Sequence, residues 1–241
     1  MYGRRFYPKW EEMSPAERAW WSRRKTVFFD IDGTLIDAHG AGRTSFAAAL
    51  EKATNNSGWS KLLDKISFEG NSDANVLRAL EKILGRLFSS EVRRRFWAAF
   101  EEDLEKRLLR QPPEELGGAR EFVVSLIHRG VNLGVITGNC EAGARLKLHG
   151  LPMGEHWIEF GGYGDALASR ENIARAAVEA ARVRGAEVDA DSACVVGDTP
   201  TDLAGARAVG LPFWGVAGGR FSAAELLAAG AEGVWEGRPE D

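Results

Sequence analysis

Cysteine is scarce in this sequence: Cys140 and Cys194 are the two in 241 residues. They lack metal-ligand spacing and are too few for a disulfide framework, so a reducing, cytoplasmic setting is expected. No apolar run is long enough to span a bilayer. The N-terminus lacks the apolar core of a signal peptide, because its Trp and Tyr residues alternate with Arg, Lys and Glu. Neither sign of charge dominates. The 31 basic and 35 acidic residues leave a formal net charge of -4, which gives no reason to expect a nucleic-acid or membrane-surface partner. Arg93-Arg94-Arg95 is a local basic cluster with acids around it, and it reads as a solvated helix face. There is no internal repeat, no low-complexity segment, and no signal for oligomeric state.

What is present suits a buried core. Hydrophobic residues make up 44% of the chain, enough for one large α/β domain or a core with an insertion. Residues 1–24 read as a helical extension. Ser14-Pro15-Ala16-Glu17 carries a Ser cap, a Pro at the first helical position and a Glu at the third, and Trp10, Trp20 and Trp21 are expected to pack on the body. Lys25–Ile31 is a short apolar run ending in Asp-Gly-Thr, the pattern of a buried strand entering a turn. From about 43 to 110 the patterns are helical, over Thr44–Ala53, Ala74–Leu84 and Glu91–Leu109, and Pro112-Pro113 closes the block. Strand–helix alternation follows, with strands expected at Val131–Ile136, Trp157–Phe160, Ala193–Val196, Phe213–Val216 and Gly233–Trp235. Strands separated by helices imply a parallel sheet covered on both faces. The expected organisation is a core of 25–40 and 113–241 with a helical insertion at 41–112.

Three strand ends finish in reactive residues: Asp30-Ile31-Asp32-Gly33-Thr34, Thr137-Gly138-Asn139, and Asp198-Thr199-Pro200-Thr201-Asp202. Parallel strands bring all three to one edge of the sheet, where ligands bind in such folds. Asp30 and Asp32 are two apart and face the same side on extended backbone. Clustered carboxylates repel unless a cation intervenes, and a hard divalent ion with oxygen ligands, such as magnesium, resolves the conflict. A nucleophile, charge neutralisation and positioning are the needs of phosphoryl transfer.

These segments resemble the motifs of the haloacid dehalogenase superfamily. DIDGTLID (Asp30–Asp37) is similar to the first motif of its phosphatases, VITGN (Val135–Asn139) to the second and VVGDTPTDLAGARAVG (Val195–Gly210) to the fourth, in the right order over about Val27 to Val216. The resemblance implies a Rossmann-like parallel α/β sheet covered by helices, with an all-helical cap domain inserted after the first strand. It implies Asp30 as the covalent nucleophile and Asp32 as general acid and base. Thr137, Gly138 and Asn139 would hold the transferring phosphoryl group. Magnesium would bind Asp30, the backbone carbonyl of Asp32, and Asp198, with Asp202 supporting it. The acid at Asp32 favours phosphate ester chemistry over dehalogenation.

The usual Lys-Pro of the third motif is absent. Lys147 follows the second motif too early, so Arg170, which opens a long helix after Phe160-Gly161-Gly162, is expected to take the role of the phosphate-binding cation. Arg43, beside Gly40-Ala41-Gly42 at the entry to the cap, is a candidate for a substrate anion. Simpler readings compete at several positions. Asp202 fits a helix capping pattern with Thr199, Asp37 and Asp73 read as turn or helix-start residues, and Cys140 as a packed thiol. The expected activity is hydrolysis of a small phosphorylated metabolite, resembling the phosphoglycolate-phosphatase-like branch. The alternatives are a phosphomutase of the β-phosphoglucomutase type and a catalytically idle binding module.

Overall fold

The computed structural model describes residues 4–68, 70–149, 157–166 and 169–239. Its centre is a six-stranded, wholly parallel sheet. The strands are β2 (Thr26–Phe29), β5 (Asn132–Ile136), β6 (Phe160–Gly162), β7 (Ala193–Gly197), β8 (Phe213–Ala217) and β9 (Gly233–Glu236), in the order β6-β5-β2-β7-β8-β9. All four β2 residues are buried. Val27 and Phe29 enter one hydrophobic cluster and Phe28 another on the opposite face, as the two-residue strand period requires.

Helices α1 (Pro15–Ser22), α6 (Ala119–His128), α7 (Glu141–His149), α8 (Arg170–Val183), α9 (Pro200–Ala208) and α10 (Ala223–Ala229) accompany the sheet. The Ser14 capping box is formed: Ser14 Oγ accepts from the Glu17 amide, and the Glu17 side chain accepts from the Ser14 amide. Trp21 is fully buried, stacked on Trp235 at 5.1 Å and edge-on to Phe122 at 5.0 Å. Full burial of such a ring contributes about 1.5–3 kcal/mol.

A second layer consists of α2 (Ala41–Thr54), α3 (Trp59–Leu63), α4 (Asp73–Leu84) and α5 (Ser90–Arg110). An apolar cluster around Phe46, which meets Phe96 at 4.7 Å and Phe68 at 5.5 Å, fills this layer and extends to Cys140 and Leu146 beside the sheet. The chain passes to and from this layer through β3 (Ile36–Asp37) and β4 (Glu114–Glu115), which pair antiparallel. Two further short strands, β1 (Arg4–Arg5) and β10 (Arg238–Pro239), also pair antiparallel.

The strand expected at Trp157–Phe160 instead runs over Phe160–Gly162. Trp157 turns inward and meets Phe29 edge-on at 6.2 Å. Phe160, Gly161 and Gly162 pair with β5 at the sheet edge, and Gly162 lies so close to α8 that a Cβ there would fall 2.1 Å from the Ile173 carbonyl oxygen. Among the described residues, no helix is long and apolar enough to cross a membrane.

Candidate active site

Strands β5, β2 and β7 are neighbours, so the residues just beyond their carboxyl ends converge. Asp30 follows β2, Thr137 follows β5 and Asp198 follows β7. The turn after Asp30 needs Gly33, which has φ +77°, and a Cβ there would fall 2.3 Å from Asp198 Oδ2. Asp30, Asp198 and Asp202 are all buried, and each offers a carboxylate oxygen within 4.8 Å of the others. Burial, then Asp202, raises the pKa of Asp30, with Arg170 opposing. Burial, Asp202 and Asp30 likewise raise Asp198 well above the usual carboxylate range. Three enclosed acids facing one guanidinium cannot all ionise without further positive charge, in keeping with the raised pKa values of Asp30 and Asp198. The all-oxygen donor set fits a hard divalent cation.

Asp202 has the capping role read from the sequence and also stands among the three acids that could hold a cation. Its Oδ2 accepts from the Thr199 amide at 3.0 Å and the Thr199 hydroxyl at 2.7 Å, completing a capping box at the start of α9. Its Oδ1 is buried without a hydrogen bond and faces Arg170 Nε at 3.3 Å, so one oxygen remains for a cation.

Arg170, buried at the start of α8, lies below the acids. Its Nη1 is 3.4 Å from Asp30 Oδ1 and donates to the Ile136 carbonyl at 3.1 Å. Burial works against its charge, but Asp202, Asp30 and Asp198 together raise its pKa.

Asp32 is not one of these three acids. Its Oδ2 accepts from Lys147 Nζ at 2.6 Å and from Asn139 Nδ2 at 2.8 Å. Asn139 also donates to Thr137 Oγ1 at 2.8 Å and accepts from Lys147 at 2.7 Å. Asn139 therefore ties Thr137, Asp32 and Lys147 together. Arg170 is the cation that meets Asp30, and Lys147, set aside in the sequence reading, reaches the site at Asp32. It lies two turns beyond Cys140 on the inward face of α7, and its side chain is 5% exposed where it meets Asp32. The helical face was the available signal: Cys140, Ala144 and Lys147 follow the spacing of one buried stripe.

The helical layer closes over this edge. Asp73, the first residue of α4, accepts from the Cys140 amide at 2.8 Å, and its own amide donates to the Gly138 carbonyl at 2.9 Å. Burial is the main cause of its pKa rising to about 6. Burial also raises the pKa of the Cys140 thiol, which is packed as the sequence suggested. Between the layers lies a cavity of about 700 Å³, reached by Asp30, Asp32, Thr137, Lys147, Arg170 and Asp198. Arg43 lines its outer part, ion-paired to Asp64 at 2.8 Å and lying over the Phe68 ring. Lys65 and Phe100 also face it.

A family profile described as haloacid dehalogenase-like hydrolase matches residues 24–210. A phosphoglycolate phosphatase of Rhodospirillum rubrum is 31% identical over 202 residues, covering 78% of this chain and 77% of the relative. The crystal structure of a hydrolase from Pseudomonas syringae superposes with a TM-score of 0.66 at 25% identity, over 90% of this chain and 95% of that one. A putative β-phosphoglucomutase from Thermotoga maritima has a TM-score of 0.59 at 20% identity, over 90% and 95% of the two chains, a likeness of fold.

Proposed function

Because this chain belongs to the haloacid dehalogenase-like hydrolases, we propose that it is a phosphatase that hydrolyses a small phosphate monoester through an aspartyl-phosphate intermediate. The observation that carries this reading is the division of the site into two parts. Asp30 stands with Asp198, Asp202 and Arg170, while Asp32 stands apart, held by Asn139 and Lys147.

In the first half-reaction a carboxylate oxygen of Asp30 attacks phosphorus and the ester P–O bond breaks. Asp32 gives its proton to the departing alkoxide. In the second, Asp32 takes a proton from water as that water attacks the phosphoryl group. The bond to Asp30 breaks, inorganic phosphate leaves, and both carboxyls return to their starting states. Thr137, Asn139 and the amide of Gly138 orient the phosphoryl oxygens, and Arg170 opposes their charge. Magnesium held by Asp30, the Asp32 carbonyl, Asp198 and Asp202 would neutralise the negative charge gathered when a phosphate dianion enters.

The helical layer of residues 41–112 acts as the cap that excludes water, and Arg43 with Lys65 offers positive charge to a second anionic group on the substrate. Phosphoglycolate, named by the Rhodospirillum rubrum relative, is therefore the first compound to try. The test is a phosphate-release screen over small phosphate esters with added magnesium, with and without chelator, for the native protein and Asp30→Asn. Stoichiometric, magnesium-dependent phosphate release that Asp30→Asn abolishes supports the reading. Isomerised phosphosugar without stoichiometric phosphate would move the chain to the phosphomutase reading, and no turnover of any ester would leave only a binding module.

A further inference from the structure

The segment before the family match reaches the site from behind. Arg4 and Arg5 pair with Pro239 and Arg238, and the amides of Phe6 and Tyr7 both donate to the Gly117 carbonyl, at 2.8 and 3.1 Å. Gly117 permits this approach, since a Cβ there would lie 2.2 Å from the Arg4 carbonyl oxygen. The segment is thus stitched to the chain just after β4. The Tyr7 ring is fully buried, 5.4 Å from Phe122 and 5.2 Å from Trp235. Its hydroxyl donates to the Thr34 carbonyl at 2.8 Å.

Thr34 ends the Asp-Gly-Thr turn, and its own hydroxyl donates to Asp198 Oδ1 at 3.4 Å. The preceding Gly33 packs directly beneath the other oxygen of Asp198. A continuous path therefore runs from the Tyr7 hydroxyl through the turn to Asp198. Burial, then Asp198 and Asp30, raises the Tyr7 pKa well above its usual value, so the phenol remains a donor.

We propose that Tyr7 is a positioning residue for the acidic site, its hydroxyl fixing the turn Ile31–Thr34 against Asp198, so that a segment outside the family match is part of the active-site scaffold. The proposal rests on Asp30 and Asp198 being the metal-binding acids of the proposed phosphatase. It assigns the Tyr7 hydroxyl an effect on cation affinity beyond the effect of the ring on stability.

Tyr7→Phe removes the hydroxyl and keeps the ring. Trp21→Phe is the control, because Trp21 packs on the same Phe122 and Trp235 and has no hydrogen bond to the turn. Magnesium affinity is measured by titration calorimetry on the native protein and both variants, with thermal melts alongside. Tyr7→Phe is expected to weaken magnesium binding on the order of tenfold, the effect of one buried carbonyl losing its donor, and to lower kcat/KM for an aryl phosphate. Trp21→Phe is expected to lower the melting temperature and leave magnesium affinity within about twofold of native. The proposal is overturned if Tyr7→Phe binds magnesium like the native protein, or if Trp21→Phe weakens binding as much. Native protein that binds magnesium but turns over no ester refutes the phosphatase reading, while calorimetry still decides the role of Tyr7. Native protein that binds no magnesium overturns both.

Discussion

Replacing Arg170 with Met tests the charge balance of the site without relying on turnover. Arg170 is 6% exposed and is the guanidinium facing both Asp30, at 3.4 Å, and Asp202, at 3.3 Å. Met keeps much of the side-chain length and removes the charge, leaving the enclosed acids to repel one another. Breaking a buried ion pair by removing one partner costs about 3–5 kcal/mol. At roughly 2–4 °C per kcal/mol for a chain of this size, the metal-free variant should melt roughly 6–20 °C below the native protein. Saturating magnesium replaces part of the lost positive charge, and binding to the folded state stabilises it by mass action. The gap between variant and native protein should therefore narrow when magnesium is added. Thermal melts by circular dichroism, in chelator and in excess magnesium, give both numbers. A metal-free gap below about 2 °C, or one that magnesium does not narrow, would refute this account of the acids. The same substitution should lower kcat/KM by about 30- to 1,000-fold, through the loss of a charge-assisted contact to the phosphoryl group.

Lys147→Ala removes the donor to Asp32 Oδ2 and should reduce kcat/KM roughly tenfold on an aryl phosphate; native kinetics would show that Asn139 alone suffices to hold the acid. Asp32→Asn should lose turnover and keep magnesium affinity, because its side chain lies outside the acidic group, whereas Asp198→Asn should lose both; calorimetry separates the two. Asp73 gives a pH signature. Its folded pKa of about 6 lies above the ordinary carboxylate value, so the unfolded chain releases this proton first. Stability is then lost as pH rises from about 4 to 6, by at most about 3 kcal/mol, and by less where the half-buried residue meets solvent. Asp73→Asn should melt higher than the native protein at pH 7.5 and alike at pH 4, and the opposite ordering would contradict the burial argument.

The sequence revealed the sheet and its acids more readily than the residues around them. The strand within Lys25–Ile31 could be read because Val27, Phe28 and Phe29 form a short apolar run, and the Asp-Gly-Thr turn marks where it stops. The starts of α1 and α9 were visible in their caps, since Ser14 with Glu17 and Thr199 with Asp202 close local hydrogen bonds. Local chemistry does not reveal β6, which is made of Phe160, Gly161 and Gly162 and is shaped by close approach to α8. Distance along the chain does not reveal the contact of Lys147 with Asp32, which two helical turns and a long side chain make possible. Tyr7 had no local signal, because its partner Thr34 is fixed by tertiary packing 27 residues away.

The antiparallel pair of Ile36–Asp37 with Glu114–Glu115 is the one seam where the backbone enters and leaves the helical layer, beside the noncovalent docking of Asp73 and Ala74 on Cys140, Gly138 and Gly164. Paired strands lie about 5 Å apart, so a two-residue hairpin turn could close the gap left by removing residues 38–113. Asp30, Asp32, Thr137, Lys147, Arg170, Asp198 and Asp202 all remain on the retained part. Such a deletion removes the outer wall, from Arg43 to Phe100, and the docking bond from Asp73 to the Cys140 amide. Under the proposed function, reactivity resides in the socket and choice of substrate in the plug. Exchanging the plug between relatives through that one seam is then a route to new selectivity with an unchanged set of acids.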